Sequence, residues 1–131
     1  MTCFWEGIMK GLKDEDFQML GETKTNRLDL IKILKKYNRE TKNVLWNKKT
    51  IQPVELKENK IAVQNYNEKG IRNGHLCSTG DYMLLLVCDL FDINIEHKFL
   101  NTIIQYEKPN NSKKIWVQSD KRHFWFIKRN N

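Results

Sequence analysis

Two aromatic-flanked triplets stand near opposite ends of the 131-residue chain, Cys3-Phe4-Trp5 and His123-Phe124-Trp125. A cysteine attacks carbonyl carbon as the thiolate, so it needs a base to take its proton. A histidine titrates near neutral pH and can act as that base, then as an acid. The two need only meet in space. Thr2 is an N-cap residue type, which puts Cys3 in the first turn of a helix. There the helix dipole favours the thiolate, and unpaired backbone N–H groups can stabilise an oxyanion. Cys3 and His123 are therefore the candidate catalytic residues. The competing reading is a core thiol near a chain end and a structural histidine.

The remaining residues with chemistry are weaker candidates. His75 lies in a loop bounded by glycines, and His97 follows the Ile93/Ile95 alternation as a satisfied structural histidine. Cys77 reads as a loop thiol and Cys88 as a buried helix thiol. The three histidines share no metal-ligand spacing. HExxH, GxSxG, a Walker loop and the Rossmann glycine pattern are all missing from the sequence, so no metal and no cofactor is expected.

Three widely spaced cysteines without a CxxC argue against a disulfide scaffold or a zinc module and for a reducing compartment. Met1 to Leu12 has neither a basic start nor a sustained apolar run, so no signal peptide is expected. The longest apolar run, Met83 to Cys88, is too short to span a bilayer. The net charge of +7 allows weak affinity for nucleic acid, anionic lipid or an acidic partner. Most such charge is a solvated face. Lys10, Lys13, Lys24, Lys32, Lys35, Lys36, Lys48 and Lys49 are scattered and not interleaved with aromatics, as a single-strand groove requires.

The elements that must position the candidate pair follow from periodicity. Cys3 to Leu12 reads as a short helix with Phe4, Ile8 and Leu12 on one stripe. Asp14-Glu15-Asp16 starts another, which Gly21 stops. Asn26 to Tyr37 is the clearest amphipathic helix, carrying Leu28, Ile31 and Leu34. Trp46 is expected to be buried at a helix end or in a turn. Pro53 opens a helix over Val54 to Tyr66. Gly70 to Gly80 reads as a loop, and Thr79-Gly80-Asp81 caps an apolar, central helix from Tyr82 to Phe91. Strands follow at Ile93/Ile95, Thr102 to Tyr106, Lys114 to Gln118 and Phe124 to Lys128, with a hairpin turn signal at Pro109-Asn110-Asn111-Ser112. This is one domain over residues 1–131, α+β with segregated layers: a small, mostly antiparallel C-terminal sheet packed by helices.

In that order, Cys3-Phe4-Trp5-Glu6-Gly7-Ile8, Trp46-Asn47, Glu58-Asn59, Gly80-Asp81-Tyr82-Met83-Leu84-Leu85, Ile93-Asn94-Ile95 and His123-Phe124-Trp125 resemble the ovarian-tumour (OTU) cysteine proteases. The resemblance runs over most of the chain. It is closest from Gly74 to Ile127, where it looks most like the small OTU-like proteins of large DNA viruses. It implies a papain-like fold and a thiol protease of the deubiquitinase type, a hydrolase cleaving isopeptide or peptide bonds at the C-terminus of ubiquitin or a ubiquitin-like protein. It assigns Cys3 as nucleophile, with its backbone N–H in the oxyanion hole, and His123 as general base. It also implies an intracellular setting, host cytoplasm or virion for a viral protein, and no membrane.

The position two beyond the histidine, Trp125, offers an indole donor and no acceptor. Asp120 is a nearby carboxylate in the sequence. Asp14, Glu15 and Asp16 could form a local acidic groove for the arginines of a ubiquitin tail. Two other readings stand beside the protease: an inactive OTU-like domain used for binding or as a viral structural component, and a basic nucleic-acid-associated protein.

Overall fold

The computed structural model describes residues 3–24, 26–67 and 81–131, and of residues 3, 27 and 28 the backbone alone. The first helix, α1 (Cys3–Gly11), begins at the cysteine, and Phe4, Trp5 and Ile8 are buried on it. Gly7 and Gly11 lie one turn apart and form a second contact face. A Cβ on Gly7 would stand 2.7 Å from Phe124 Cδ1, and one on Gly11 3.2 Å from Ile115 Cδ1. The missing side chains let α1 lie close on the sheet. The next helix, α2 (Asp14–Met19), ends where Gly21 adopts φ +74° and the Glu22 amide donates to the Phe17 carbonyl. A glycine is favoured at such a left-handed closing position.

The amphipathic α3 (Arg27–Lys36) buries Leu30, Ile31, Ile33 and Leu34. Pro53 opens α4 (Pro53–Gln64) in its first turn, where its missing N–H costs nothing. The apolar α5 (Asp81–Phe91) is buried at every position from Met83 to Phe91. The loop expected over Gly70 to Gly80, with His75 and Cys77, lies outside the described residues. So does the expected cap, Thr2.

The one charged residue in that buried run, Asp89, is neutralised on two sides. Arg39 Nε lies 2.7 Å from one carboxylate oxygen and Lys108 Nζ 3.1 Å from the other. Lys108 also pairs with Asp92 at 2.6 Å. These contacts tie α5 to the segment after α3 and to the end of the third strand, and they compensate the desolvation of the carboxylate.

Among the described residues, five strands form one sheet: β1 (Leu45–Trp46), β2 (Asn94–Phe99), β3 (Thr102–Glu107), β4 (Lys114–Ser119) and β5 (Phe124–Asn130). Their order is β1-β3-β2-β4-β5. Trp46 is half-buried, sitting in β1 just before the Asn47–Lys48 turn. The expected hairpin at Pro109–Ser112 is not a hairpin. The turn is present, but β4 passes β3 by and pairs with β2 in parallel, the one parallel pair among antiparallel neighbours. Asn94 explains the change. Its Oδ1 accepts from the Lys108 amide (2.9 Å), its Nδ2 donates to the Asn111 carbonyl (3.3 Å), and its own amide donates to the Lys113 carbonyl (2.9 Å). One side chain at the start of β2 thus wraps the connection round the strand end and delivers β4 to its far side. Between β4 and β5 the register slips once: Val117 faces Phe126, but Trp116 faces Lys128, leaving Ile127 as an extra bulge residue.

Side chains alternate across the sheet. Ile95, His97, Ile104, Tyr106, Ile115, Val117, Ser119 and Phe124 are buried on the helix side. Glu96, Lys98, Ile103, Gln105, Trp116, Gln118, Trp125 and Lys128 take the other face and stay partly or wholly exposed. The sheet meets α1 along β5 and α5 along β2 and β3, while α3 and α4 pack on α1 and α5. The architecture is the segregated α+β arrangement that the sequence predicts, with a mostly antiparallel sheet.

Candidate active site

The two ends of the chain meet because α1 lies on the start of β5. Phe4, the residue after Cys3, packs its ring on Phe124, the residue after His123, with centroids 4.7 Å apart and planes tilted by 52°. One turn along, Gly7 brings the α1 backbone against the same Phe124 ring and within reach of the Trp125 Cα. Trp5 turns the other way and donates from its indole to the Tyr66 hydroxyl at 3.0 Å. Cys3 is therefore the first residue of a helix whose first turn is clamped to the entry of β5. Its side chain lies outside the described residues. The helix start leaves backbone N–H groups without intrahelical acceptors, the arrangement that a developing oxyanion needs.

His123 sits in the turn immediately before β5, its side chain 60% exposed. The turn is built by Asp120. Its Oδ1 accepts from the amides of Arg122 (2.8 Å) and His123 (2.7 Å), and its own amide donates to the His123 carbonyl (2.9 Å). Those two backbone donors hold the Asp120 carboxyl below the usual carboxylate range. The same Oδ1 lies 3.7 Å from His123 Nδ1. A fixed, ionised carboxylate thus faces one imidazole nitrogen, at ion-pair range for a protonated ring, and leaves the other nitrogen free of that contact. The sequence holds a clue to this role: Asp four residues before a strand start is an Asx-turn residue type.

The other sequence candidates separate cleanly. His97 is fully buried, its Nε2 2.6 Å from Ser119 Oγ and its ring 5.3 Å from that of Phe124. Its Nδ1 has no hydrogen-bond partner among the described residues, so it is only half satisfied. Burial pushes the His97 pKa down to about 4, leaving the ring neutral beneath the site. Cys88 is fully buried, donates weakly to the Tyr106 carbonyl, and has its thiol pushed up to about 12 by desolvation. It is no nucleophile. His75 and Cys77 lie outside the described residues, as does any contact they make. Among the described residues, no group of three or more His, Cys, Asp or Glu side chains could hold a metal ion. No helix there is long and apolar enough to cross a membrane.

The acidic groove expected from Asp14, Glu15 and Asp16 loses its third member. Asp16 is 2% exposed and takes a two-pronged contact from Arg129, 2.5 Å from Nη1 and 3.1 Å from Nη2. Burial would raise its pKa, but the Arg129 contact, the Lys13 amide and the charges of Arg129 and Lys113 together hold it below the usual range. Its charge is spent inside the fold. Asp14 and Glu15 remain exposed.

Comparison with protein-family models, with curated proteins and with solved structures returns no match. The functional reading therefore rests on the residues and their placement.

Proposed function

We propose that this chain is an OTU-like thiol hydrolase acting on ubiquitin or ubiquitin-like conjugates, with Cys3 as nucleophile, His123 as base and Asp120 as the group that orients the imidazole. The observation that supports it is the Phe4–Phe124 contact, which joins the helix turn headed by Cys3 to the strand entered from His123. In the proposed reaction the Cys3 thiolate attacks the carbonyl carbon of the scissile bond. A C–S bond forms, the C–N bond breaks, and the amine leaves with the proton from the imidazolium. Water then attacks the thioester as His123 takes its proton, and the carboxylate and thiol are released. Asp120, ionised and turned to Nδ1, favours the imidazolium that forms midway.

A second reading, a binding domain of the same fold without turnover, draws on two details. The Nδ1–Oδ1 separation of 3.7 Å exceeds hydrogen-bond length, and Trp125, two residues beyond the histidine, has no acceptor to offer the ring. One experiment separates the two. Wild-type protein is incubated with a ubiquitin probe carrying a thiol-reactive C-terminus, beside Cys3→Ala and His123→Ala. Labelling that needs both residues supports the hydrolase. Folded but unlabelled wild type that still binds ubiquitin supports the binding domain.

A further inference from the structure

The sheet face turned away from the helices interleaves aromatic and basic side chains, although the lysines of the helical half of the sequence do not. Cross-strand register sets two rows on it. One runs Gln105, Glu96, Trp116, Lys128, and the next runs Ile103, Lys98, Gln118, Trp125. Trp116 is held between two ammonium groups, Lys114 Nζ 4.9 Å and Lys128 Nζ 4.6 Å from its ring centroid. The carboxylate of Glu96 is neutralised by Lys114 at 3.0 Å. Trp125 is 37% exposed, a high value for so large a ring in a strand, and Lys98 and Lys128 are exposed near it. Lys121 and Arg122 extend the positive charge into the β4–β5 turn at the Trp125 end.

We infer that this open face binds single-stranded nucleic acid. Trp125 supplies a ring on which a base can stack, and Lys98 and Lys128 supply ammonium groups for the flanking phosphates. Base stacking on an aromatic with backbone contacts to cations is the general mode of sequence-tolerant single-strand binding. The charge of the whole chain, +7, adds long-range attraction for a polyanion. A protein partner would favour a continuous apolar patch, whereas here Trp116 lies between two ammonium groups and Trp125 shares its row with Gln118 and Lys98. A duplex keeps its base faces stacked inside and offers Trp125 nothing to stack on. The surface is on the sheet and uses neither Cys3 nor His123, so this inference and the proposed hydrolysis stand or fall separately.

The test is fluorescence anisotropy with a labelled oligothymidylate of about 12 nucleotides, a length within one such site, repeated over a range of salt. Four variants are compared with wild type. Trp125→Ala should weaken binding about 10-fold or more, and Trp125→Phe should restore most of it, since both keep the fold and one keeps a stacking ring. The pair Lys98→Glu and Lys128→Glu should weaken binding and flatten the salt dependence by roughly one phosphate contact or more, about 0.7 in slope per contact. Lys57→Glu with Lys60→Glu on α4 makes the same charge change elsewhere and should cost far less. The inference is overturned by any of three results: no binding by folded wild type at low salt, equal loss from the α4 pair, or equal affinity for a duplex of the same length.

Discussion

The Phe4 and Phe124 rings pack with centroids 4.7 Å apart, each one residue beyond a side chain with the chemistry of a candidate nucleophile or base, and Gly7 reaches the same Phe124 ring. The contact is what converts two chain ends into one locus. It also makes the locus sensitive to changes in residues that carry no chemistry at all.

The first expected consequence concerns Gly7. A methyl group there would stand 2.7 and 2.9 Å from two carbons of the Phe124 ring, so the ring or the helix must move. Gly7→Ala should cost about 1–3 kcal/mol by urea denaturation. It should also slow labelling of Cys3 by a thiol-reactive ubiquitin probe under conditions where the protein stays folded. Unchanged stability would mean that α1 does not sit against β5 as described. Phe124→Ala, which empties the joint from the other side, should cost about 3–5 kcal/mol.

Asp120 can be tested apart from the turn that it builds. Asp120→Asn keeps an oxygen for the Arg122 and His123 amides and removes the charge that faces Nδ1. Labelling by the probe should fall about 10-fold, against about 100-fold or more for His123→Ala. The melting temperature should hardly move, because the pair is exposed. An Asp120→Asn protein as reactive as wild type would remove Asp120 from the mechanism.

His97 predicts a pH dependence of the same sign as that of a paired carboxylate, in a higher window. Its folded pKa is depressed to about 4, below the usual 6.5. Between those values the unfolded chain binds the proton and the folded chain does not, so stability falls as the pH falls through that window. At full effect the loss is on the order of 3 kcal/mol. Denaturation midpoints at pH 7, 6, 5 and 4 measure it, and His97→Asn should flatten the curve across that range.

Asp16 works at lower pH. Its folded pKa is lowered by Arg129 and its neighbours despite burial, so the stability it contributes is present above its unfolded value of 3.8 and is lost as pH falls further. At neutral pH, Arg129→Ala leaves a buried carboxylate without its guanidinium and should cost about 3–5 kcal/mol. Asp16→Asn with Arg129→Leu together should cost less than Arg129→Ala alone, a comparison that a double-mutant cycle by chemical denaturation makes directly.

Much of the fold was legible in local patterns. The helix expected over Asn26 to Tyr37 is Arg27–Lys36, and the apolar helix from Tyr82 begins one residue earlier at Asp81. The strands expected at 102–106, 114–118 and 124–128 start where expected and run one or two residues longer. What the pattern could not carry was partnership. Pro109 to Ser112 has hairpin chemistry, yet the pairing of β4 is decided by Asn94, more than a dozen residues upstream. Asp16 reads as one of three surface acids in a helix start, and only Arg129, at the far end of the chain, makes it interior. At the candidate site, the types and positions of Cys3 and His123 were readable. Gly7, whose role is to have no side chain, was not, and Asp120 was visible as a neighbour in sequence of Asx-turn type.

The extra residue in β5, Ile127, sets the phase of the whole strand. Phe124 and Arg129 both point to the helices, although they are an odd number of residues apart and an unbroken pleat would send them to opposite sides. Remove Ile127 and the strand has to choose. Either Phe124 keeps its place against Phe4 and Arg129 swings out, stranding the Asp16 carboxylate, or Arg129 stays and the aromatic joint comes apart. That single unpaired residue is a half-step in a two-step rhythm. It lets one strand answer to two independent anchors, and on the outer side it brings Trp125 and Lys128 onto the same surface.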